Sequence, residues 1–448
     1  MTSASLRSFA AAVAVAALLV PFAARATLPI QHWQTASGAR VLFVETHELP
    51  MIDLAVDFPA GTSRDTPDKS GLASLALGLM RSGAGGMNEN EISERLANIG
   101  ADLSGRFDMD RGGYGLRTLS SARERDEALA VLTAILQKPE YPQDVFAREQ
   151  QRVLAALREA QTRPEVLAER EFKHLLYGNH PYSMRGAGEA DTVATLTRAD
   201  LVDFYRDHFL ADDAVVSIIG DLTRDQAVAI AEQLTAGLAR GSAPPPALPP
   251  VAPLQAAQLS RIAHPATQAH ILIGQPGIKR LDPDYFPLFL GNYVLGGGGF
   301  ASRLNDEIRQ KRGYAYSTYS FFNPMAQEGP FQIAVQTKKE QTEEALKVAQ
   351  DTLAKFIEDG PTAQELDAAK QNIIGGFPLR IDSNKKIQEY LSIIGFYDLP
   401  LTYLDDFPLR IEQLTLEQVK DAWRRRIHPD RMATVVVAGG VAPTADSR

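Results

Sequence analysis

No cysteine occurs in the 448 residues. Disulfides are therefore excluded, and so is zinc held through thiolates. Histidine is scarce. The eight present are His32, His47, His174, His180, His208, His264, His270 and His428. No two are spaced i, i+4, and none stands in H-E-x-x-H or H-x-x-E-H, so no imidazole pair shares a helical face. His174 and His180 are six apart across "YGN", which does not suit a common face either. Positive charge is in deficit: 46 Lys and Arg against 55 Asp and Glu give a formal charge of −9. Such a chain has no electrostatic footprint for nucleic acid, and the short basic stretch "WRRRIHPDR" reads as a solvated helix end. Beyond the N-terminus no apolar run approaches the roughly 20 residues of a membrane helix.

The N-terminus itself has the marks of a secretory leader. Arg7 precedes an apolar run from Phe9 to Val20, and "ARA" at Ala24–Ala26 has the small-x-small form of a cleavage site. Residues 1–26 are expected to be a signal peptide and the mature chain to begin near Thr27, in the periplasm. A retained membrane anchor is disfavoured by the shortness of the run. Losing Arg7 and Arg25 with the leader takes the formal charge from −9 to about −11, because the leader holds no acid.

What remains is ample apolar material, 45% of residues, arranged twice. A Pro- and Ala-rich stretch at 239–258, "ARGSAPPPALPPVAPLQAA" and the residue after it, reads as a semi-rigid linker. It separates residues 27–238 from 259–448. "LTRADLVDFYRDHFLADDAVVSIIGD" closes the first half and "LTLEQVKDAWRRRIHPDRMATVVVAGG" the second, 218 positions apart. Each predicts a helix capped by Thr197 or Thr415, an aromatic at Tyr205 or Trp423, a turn, and a β-branched strand ending on glycine. Upstream, "YGLRTLSSARERDEAL" faces "FQIAVQTKKEQTEEAL" at an offset of 217, each a strand, a polar turn and a helix. A steady offset over separate elements indicates duplication. The fold class is α+β: two homologous domains, each a mainly antiparallel sheet flanked by helices.

Four stretches carry a resemblance: "DFPAGTSRDTPDKSGLA", "YGNHPYSMRGAGE", "VLGGGGFASRLNDEIRQKRGYAYSTYS" and "LPLTYLDDFPLRIEQLT". In their order and spacing the chain resembles the pitrilysin/insulinase family of zinc metallopeptidases, in its short bacterial, mitochondrial-processing-peptidase-like form. The resemblance spans nearly the whole mature chain. It implies that the two domains form half of a clam-like chamber. It also implies an H-x-x-E-H motif on the helix after Gly71-Leu72-Ala73, both histidines on one face and the glutamate as general base. A third ligand, a glutamate, would follow some 75–80 residues on.

Here the motif is blank. The matching positions are Ser74, Leu77 and Gly78, and the later glutamate falls at about Ala156 in "EQQRVLAALRE". None offers an imidazole or a carboxylate, so no zinc is expected in this chain. Ser74 has no neighbouring histidine to activate it as a nucleophile. Other pieces are kept. By resemblance, Arg309 and Tyr316 match an arginine and a tyrosine that reach the zinc site from the opposite half of the chamber and hold the substrate backbone and the oxyanion. "GGGG", Gly296, Gly297, Gly298 and Gly299, lacks the Lys-Ser/Thr of a phosphate loop. By resemblance it is a mobile loop at the chamber mouth, in contact with substrate.

The expected function is that of a non-catalytic, substrate-binding subunit of a heterodimeric zinc endopeptidase. A homologous zinc-bearing partner would be completed by this chain in hydrolysis of unstructured peptides. The alternative is a peptidase-like scaffold or peptide-binding protein with no role in proteolysis, for which Arg309 and Tyr316 would be dispensable.

Overall fold

The computed structural model describes residues 29–439; the expected leader, residues 1–26, lies outside them. The first sheet is built from β1 (Gln31–Gln34), β2 (Arg40–Glu45) and β3 (Met51–Phe58), then, past a two-residue hairpin β4 (Gly83–Ala84) and β5 (Met87–Asn88), from β6 (Asp102–Phe107), β7 (Gly112–Leu119) and β8 (Val215–Gly220). The second holds β9 (Gln258–Ala263), β10 (Gln268–Ile278), β11 (Ala315–Phe322), β12 (Gly329–Lys338) and β13 (Ala433–Ala438).

Their topologies repeat. From one edge the first sheet runs β6-β7-β3-β8-β2-β1 and the second β11-β12-β10-β13-β9. In each, one pair alone is parallel between the corresponding strands, β8 with β2 and β13 with β9; the others are antiparallel. β8 begins at Val215 and β13 at Ala433, the same offset of 218 that the closing segments show in sequence. The helices before them start at Arg198 and Leu416. Thr197 and Thr415 cap these helices, each in a reciprocal pair with Asp200 or Gln418, which satisfies backbone N–H groups that would otherwise be orphaned.

The two halves exchange helices. Pro164–Tyr177, from the first half, lies across β10 and β13. Its Ala168, Phe172 and Leu176 pack with Leu272, Val435 and Val437. Asn384–Phe396, from the second, lies across β8, β3 and β2. Its Leu391 and Ile394 share a core with Leu42, Val44, Val215 and Ile219. Gly395 makes the close approach: a Cβ there would stand 2.6 Å from side-chain carbons of Leu42 and Val215. β8 and β13 are thus covered on both faces, and every residue of each is buried. That explains why they read as unbroken β-branched runs rather than alternating ones.

Polar groups seal the same seam. Asp57 on β3, fully buried, accepts from Arg106 Nε at 2.9 Å and from the Ser392 hydroxyl at 2.5 Å. Ser392 in turn accepts from Arg106 and Arg111, both at 2.9 Å. Asp110 accepts from the hydroxyls of Tyr182 at 2.7 Å and Tyr397 at 2.8 Å and from the Ala326 amide at 2.8 Å. The Pro-rich segment between the sheets is free of helix and strand over 239–257, its expected last residue, Gln258, being the first of β9, but it is fastened to the body. Pro249 O accepts from the His180 ring at 2.9 Å, Pro246 O from Arg64 at 2.6 Å, and Leu254 is buried.

Candidate functional site: a blank cleft and an exposed arginine–aromatic cluster

The motif helix is Leu72–Leu79. Gly71 starts it at φ +97° and lies so close to Gly188 that a Cβ would stand 2.9 Å from its Cα, so only glycine fits. Asp65 caps it from outside, accepting from the Gly71 and Ala73 amides at 2.8 Å each. Burial pushes this carboxyl up to about 7, against those two hydrogen bonds. Six of the eight helical side chains are buried, which is why the stretch is apolar almost throughout. Leu77, in the position of the general base, is 4% exposed, and its carbonyl accepts from the Tyr114 hydroxyl at 2.5 Å.

The remaining face, Ser74 and Gly78, opens onto a cleft of about 840 Å³. Its far wall comes from the helix Gln143–Ala160 through Glu149, Arg152 and Val153. Ala156, one turn further along that helix, is exposed and not part of the wall. Two of the cleft's three carboxylates are engaged, Glu149 with Arg152 at 2.6 Å and Glu89 with Arg148 at 2.8 Å; the third is Asp102. At the three helix positions matched by resemblance to zinc-site side chains, Ser74, Leu77 and Gly78, stand a hydroxyl, an isobutyl group and a hydrogen. That donor set does not fit zinc. Among the described residues, no group of three or more His, Asp or Glu could hold a metal ion. His180 is engaged elsewhere: its Nδ1 accepts from the Tyr182 amide at 3.1 Å, besides the bond to Pro249.

Arg309 and Tyr316 come together away from this cleft, and neither lines it. Arg309 sits in a π-helical turn, Asn305–Gln310. Tyr316 is on β11, the edge strand of the second sheet. Ala315 pairs with Thr337 and Ser317 with Gln336, so Tyr316 is the extra residue of a bulge. A bulge re-aims a side chain, and Tyr316 is 77% exposed. The guanidinium carbon of Arg309 lies 6.0 Å from the Tyr316 ring centre and 4.8 Å from that of Phe300, within cation–π range. The neighbouring cations are all ion-paired: Arg303 with Glu365, Lys311 with Asp306 and Glu307, Arg312 with Glu307. Among the described residues Arg309 has no carboxylate partner; its neighbours are rings.

The glycine run is wound rather than open. Gly296 and Gly297 complete a π-helical turn, Tyr293–Gly297, that continues the helix Tyr285–Asn292. A Cβ on Gly296 would meet Ser320 Oγ at 2.3 Å, and one on Gly298 would meet Tyr293 O at 2.6 Å. Gly296 and Gly298 therefore answer to packing. Gly299 alone faces open space, at φ +60°. Phe300, the residue after it, is 69% exposed. Sequence reasoning passed over it, although a large aromatic directly after four glycines and before a polar stretch was a visible signal.

A duplicated α+β chain with exchanged helices and a motif helix without metal donors defines a class, the metallopeptidase-like chains that lack their own metal site. Comparison with known proteins agrees. The family model "Insulinase (Peptidase family M16)" matches residues 40–186, and "Peptidase M16 inactive domain" matches 195–373. The crystal structure of a peptidase M16 inactive domain from Pseudomonas fluorescens superposes with a TM-score of 0.89 at 39% identity, over 93% of this chain and 99% of that one. The Helicobacter pylori "Non-peptidase homolog YmxG" is 28% identical over 390 residues, 85% of this chain and 87% of the relative. A protease from Helicobacter pylori shares the fold, with a TM-score of 0.86 at 18% identity, over 92% of this chain and all of that one. The chain belongs to the insulinase family, peptidase family M16, as a member whose own zinc-motif positions cannot bind the metal.

Proposed function

We propose that this chain is the non-catalytic, substrate-binding subunit of a two-subunit zinc endopeptidase. A homologous partner supplies the zinc, both histidines and the general base. This chain supplies half of a clam-like chamber, closed around an unstructured peptide, together with Arg309 and Tyr316. The leader read in residues 1–26 supports a periplasmic location for the pair. The observation that carries the proposal is the pairing of a motif helix stripped of metal donors with an exposed tyrosine held beside a half-buried arginine that has no counterion among the described residues. Such groups donate hydrogen bonds to a peptide carbonyl and stabilise the charge it gains in the transition state.

The test is reconstitution. The purified chain should not cleave an unstructured peptide. Mixed with a homologous exported chain that retains H-x-x-E-H, it should switch cleavage on. If an assembled pair bearing Arg309→Ala or Tyr316→Phe turns over as fast as the wild type, the scaffold reading replaces this one.

A further inference from the structure

The exposed cluster has a third member with no role so far. We infer that Phe300 is a positioning residue: it holds the Arg309 guanidinium in the direction in which it meets the peptide, and the sequence from Gly296 to Gln310 is shaped to put it there. The inference rests on the function proposed above.

Arg309 is on a flexible stem, and a charge that works before the reaction begins must be held in place. Positioning by a carboxylate would neutralise the hydrogen-bonding edge that the substrate needs. An aromatic face holds the guanidinium from its flat side and leaves the edge free. Phe300 stands closer to Arg309 than Tyr316 does, 4.8 Å against 6.0 Å, so it is the stronger of the two contacts. Phe300 is 69% exposed, so core burial does not account for its placement; the contact it makes is with the guanidinium.

The backbone around it is specified in detail. Gly299, at φ +60°, turns the chain, and Gly299–Ala301 forms a single 3-10 turn. The Ser302 hydroxyl donates to Gly299 O at 2.7 Å. The side-chain amide Nε2 of Gln310, the residue next to Arg309, donates to Phe300 O at 2.8 Å. The turn that carries the arginine is thus tied through a side chain to the turn that carries the ring. Two π-helical turns, Tyr293–Gly297 and Asn305–Gln310, bracket this unit. Such turns are rare and gather at functional sites, and here they set the phase at which Phe300 and Arg309 meet.

Two measurements test it. In the isolated chain, the Arg309 side-chain NMR signal, assigned by its loss in Arg309→Lys, should carry a ring-current shift that disappears in Phe300→Ala and persists in Phe300→Tyr. In the reconstituted heterodimer with an unstructured peptide, Phe300→Ala should lower kcat about 10-fold with a smaller change in KM, and Phe300→Tyr should restore it. Adding Phe300→Ala to Arg309→Ala should cost nothing further, because the ring acts through the arginine. Phe300 is on the surface, so neither variant endangers folding. An unmoved Arg309 signal, or full turnover in Phe300→Ala beside a slow Arg309→Ala, overturns the positioning role and leaves the proposed function standing. Full turnover in Arg309→Ala sinks the proposed function and the positioning role with it.

Discussion

Tyr316 owes its exposure to one inserted residue. Without the bulge between Ala315 and Ser317 it would take its turn in the pleat of β11; with it, the phenol stands clear and beside Arg309. Replacing Tyr316 by Phe keeps the ring and removes the donor. Arg309→Ala removes the charge. In the assembled heterodimer each should lower kcat by roughly 10²–10³-fold, the scale for losing one oxyanion donor; rates at saturating peptide measure it, with assembly matched by gel filtration. A second residue-scale prediction concerns stability. His208, at the end of the helix Arg198–His208, packs on Phe204 with ring centres 4.4 Å apart. Burial, with Arg64 nearby, pushes its pKa from 6.5 down to about 4. The unfolded chain then binds a proton that the folded one refuses, so the group costs stability as pH falls from 6.5 towards 4. Urea unfolding of wild type and His208→Gln at pH 7.5 and pH 4.5 should show the wild type losing roughly 1–3 kcal/mol more than the variant over that interval. Equal losses would mean that His208 titrates normally. At this scale the sequence showed Arg309 and Tyr316 only through the spacing of a resemblance, and it hid Phe300, whose part depends on a turn geometry no pattern displays.

The motif helix shows how an element can outlive its chemistry. Its start is fixed by Gly71 and Asp65, its inner face by the core, and its end by the tie from Tyr114 to Leu77 O. None of these needs zinc, so the helix stays folded while its cleft face is bare. The same geometry allows the metal to be put back. Ser74 and Gly78 share the cleft face, and a Cβ on Gly78 meets nothing within 4 Å. Across the cleft, Val153 is on the wall and Ala156 is not. Ser74→His/Gly78→His/Val153→Glu should therefore hold one zinc per chain after dialysis, by metal analysis, and the companion variant with Ala156→Glu in place of Val153→Glu should hold none. Zinc in the second variant and not the first would move the third ligand to position 156. The helix was legible in sequence as smooth and buried. Which residue of Gln143–Ala160 faces it was not, because several residues of that helix recur on one face and only packing selects the turn that meets the cleft.

Across the whole molecule, the exchanged helices decide how the halves depend on each other. Each sheet has a face covered by a helix from the other half, so neither half alone can bury its β-branched strands. Residues 27–258 expressed alone should expose the face of β8 that Asn384–Phe396 covers, bind a hydrophobic dye and aggregate. Co-expression with residues 259–448 should restore a single cooperative melt. Two halves that each stay monomeric and melt cooperatively would refute this. The polar seam gives a finer probe. Ser392→Ala removes a donor to Asp57 and an acceptor for Arg106 and Arg111, leaving buried groups unsatisfied. It should cost about 1–3 kcal/mol in chemical unfolding of the whole chain, with both halves affected together.

The sequence by itself determined the repeat, the caps at Thr197 and Thr415, the α+β class and the loss of metal donors, because these are local: periodicity, capping chemistry and residue type are written in neighbouring positions. The tertiary structure decided the rest. It set which helix covers which sheet, it wound the glycine run around Asn292, Tyr293 and Ser320, and it placed Phe300 against Arg309. Those outcomes depend on contacts between residues far apart in the chain, and on single-residue irregularities, a bulge and two π-turns, whose energies are too small and too dependent on their surroundings to mark the sequence.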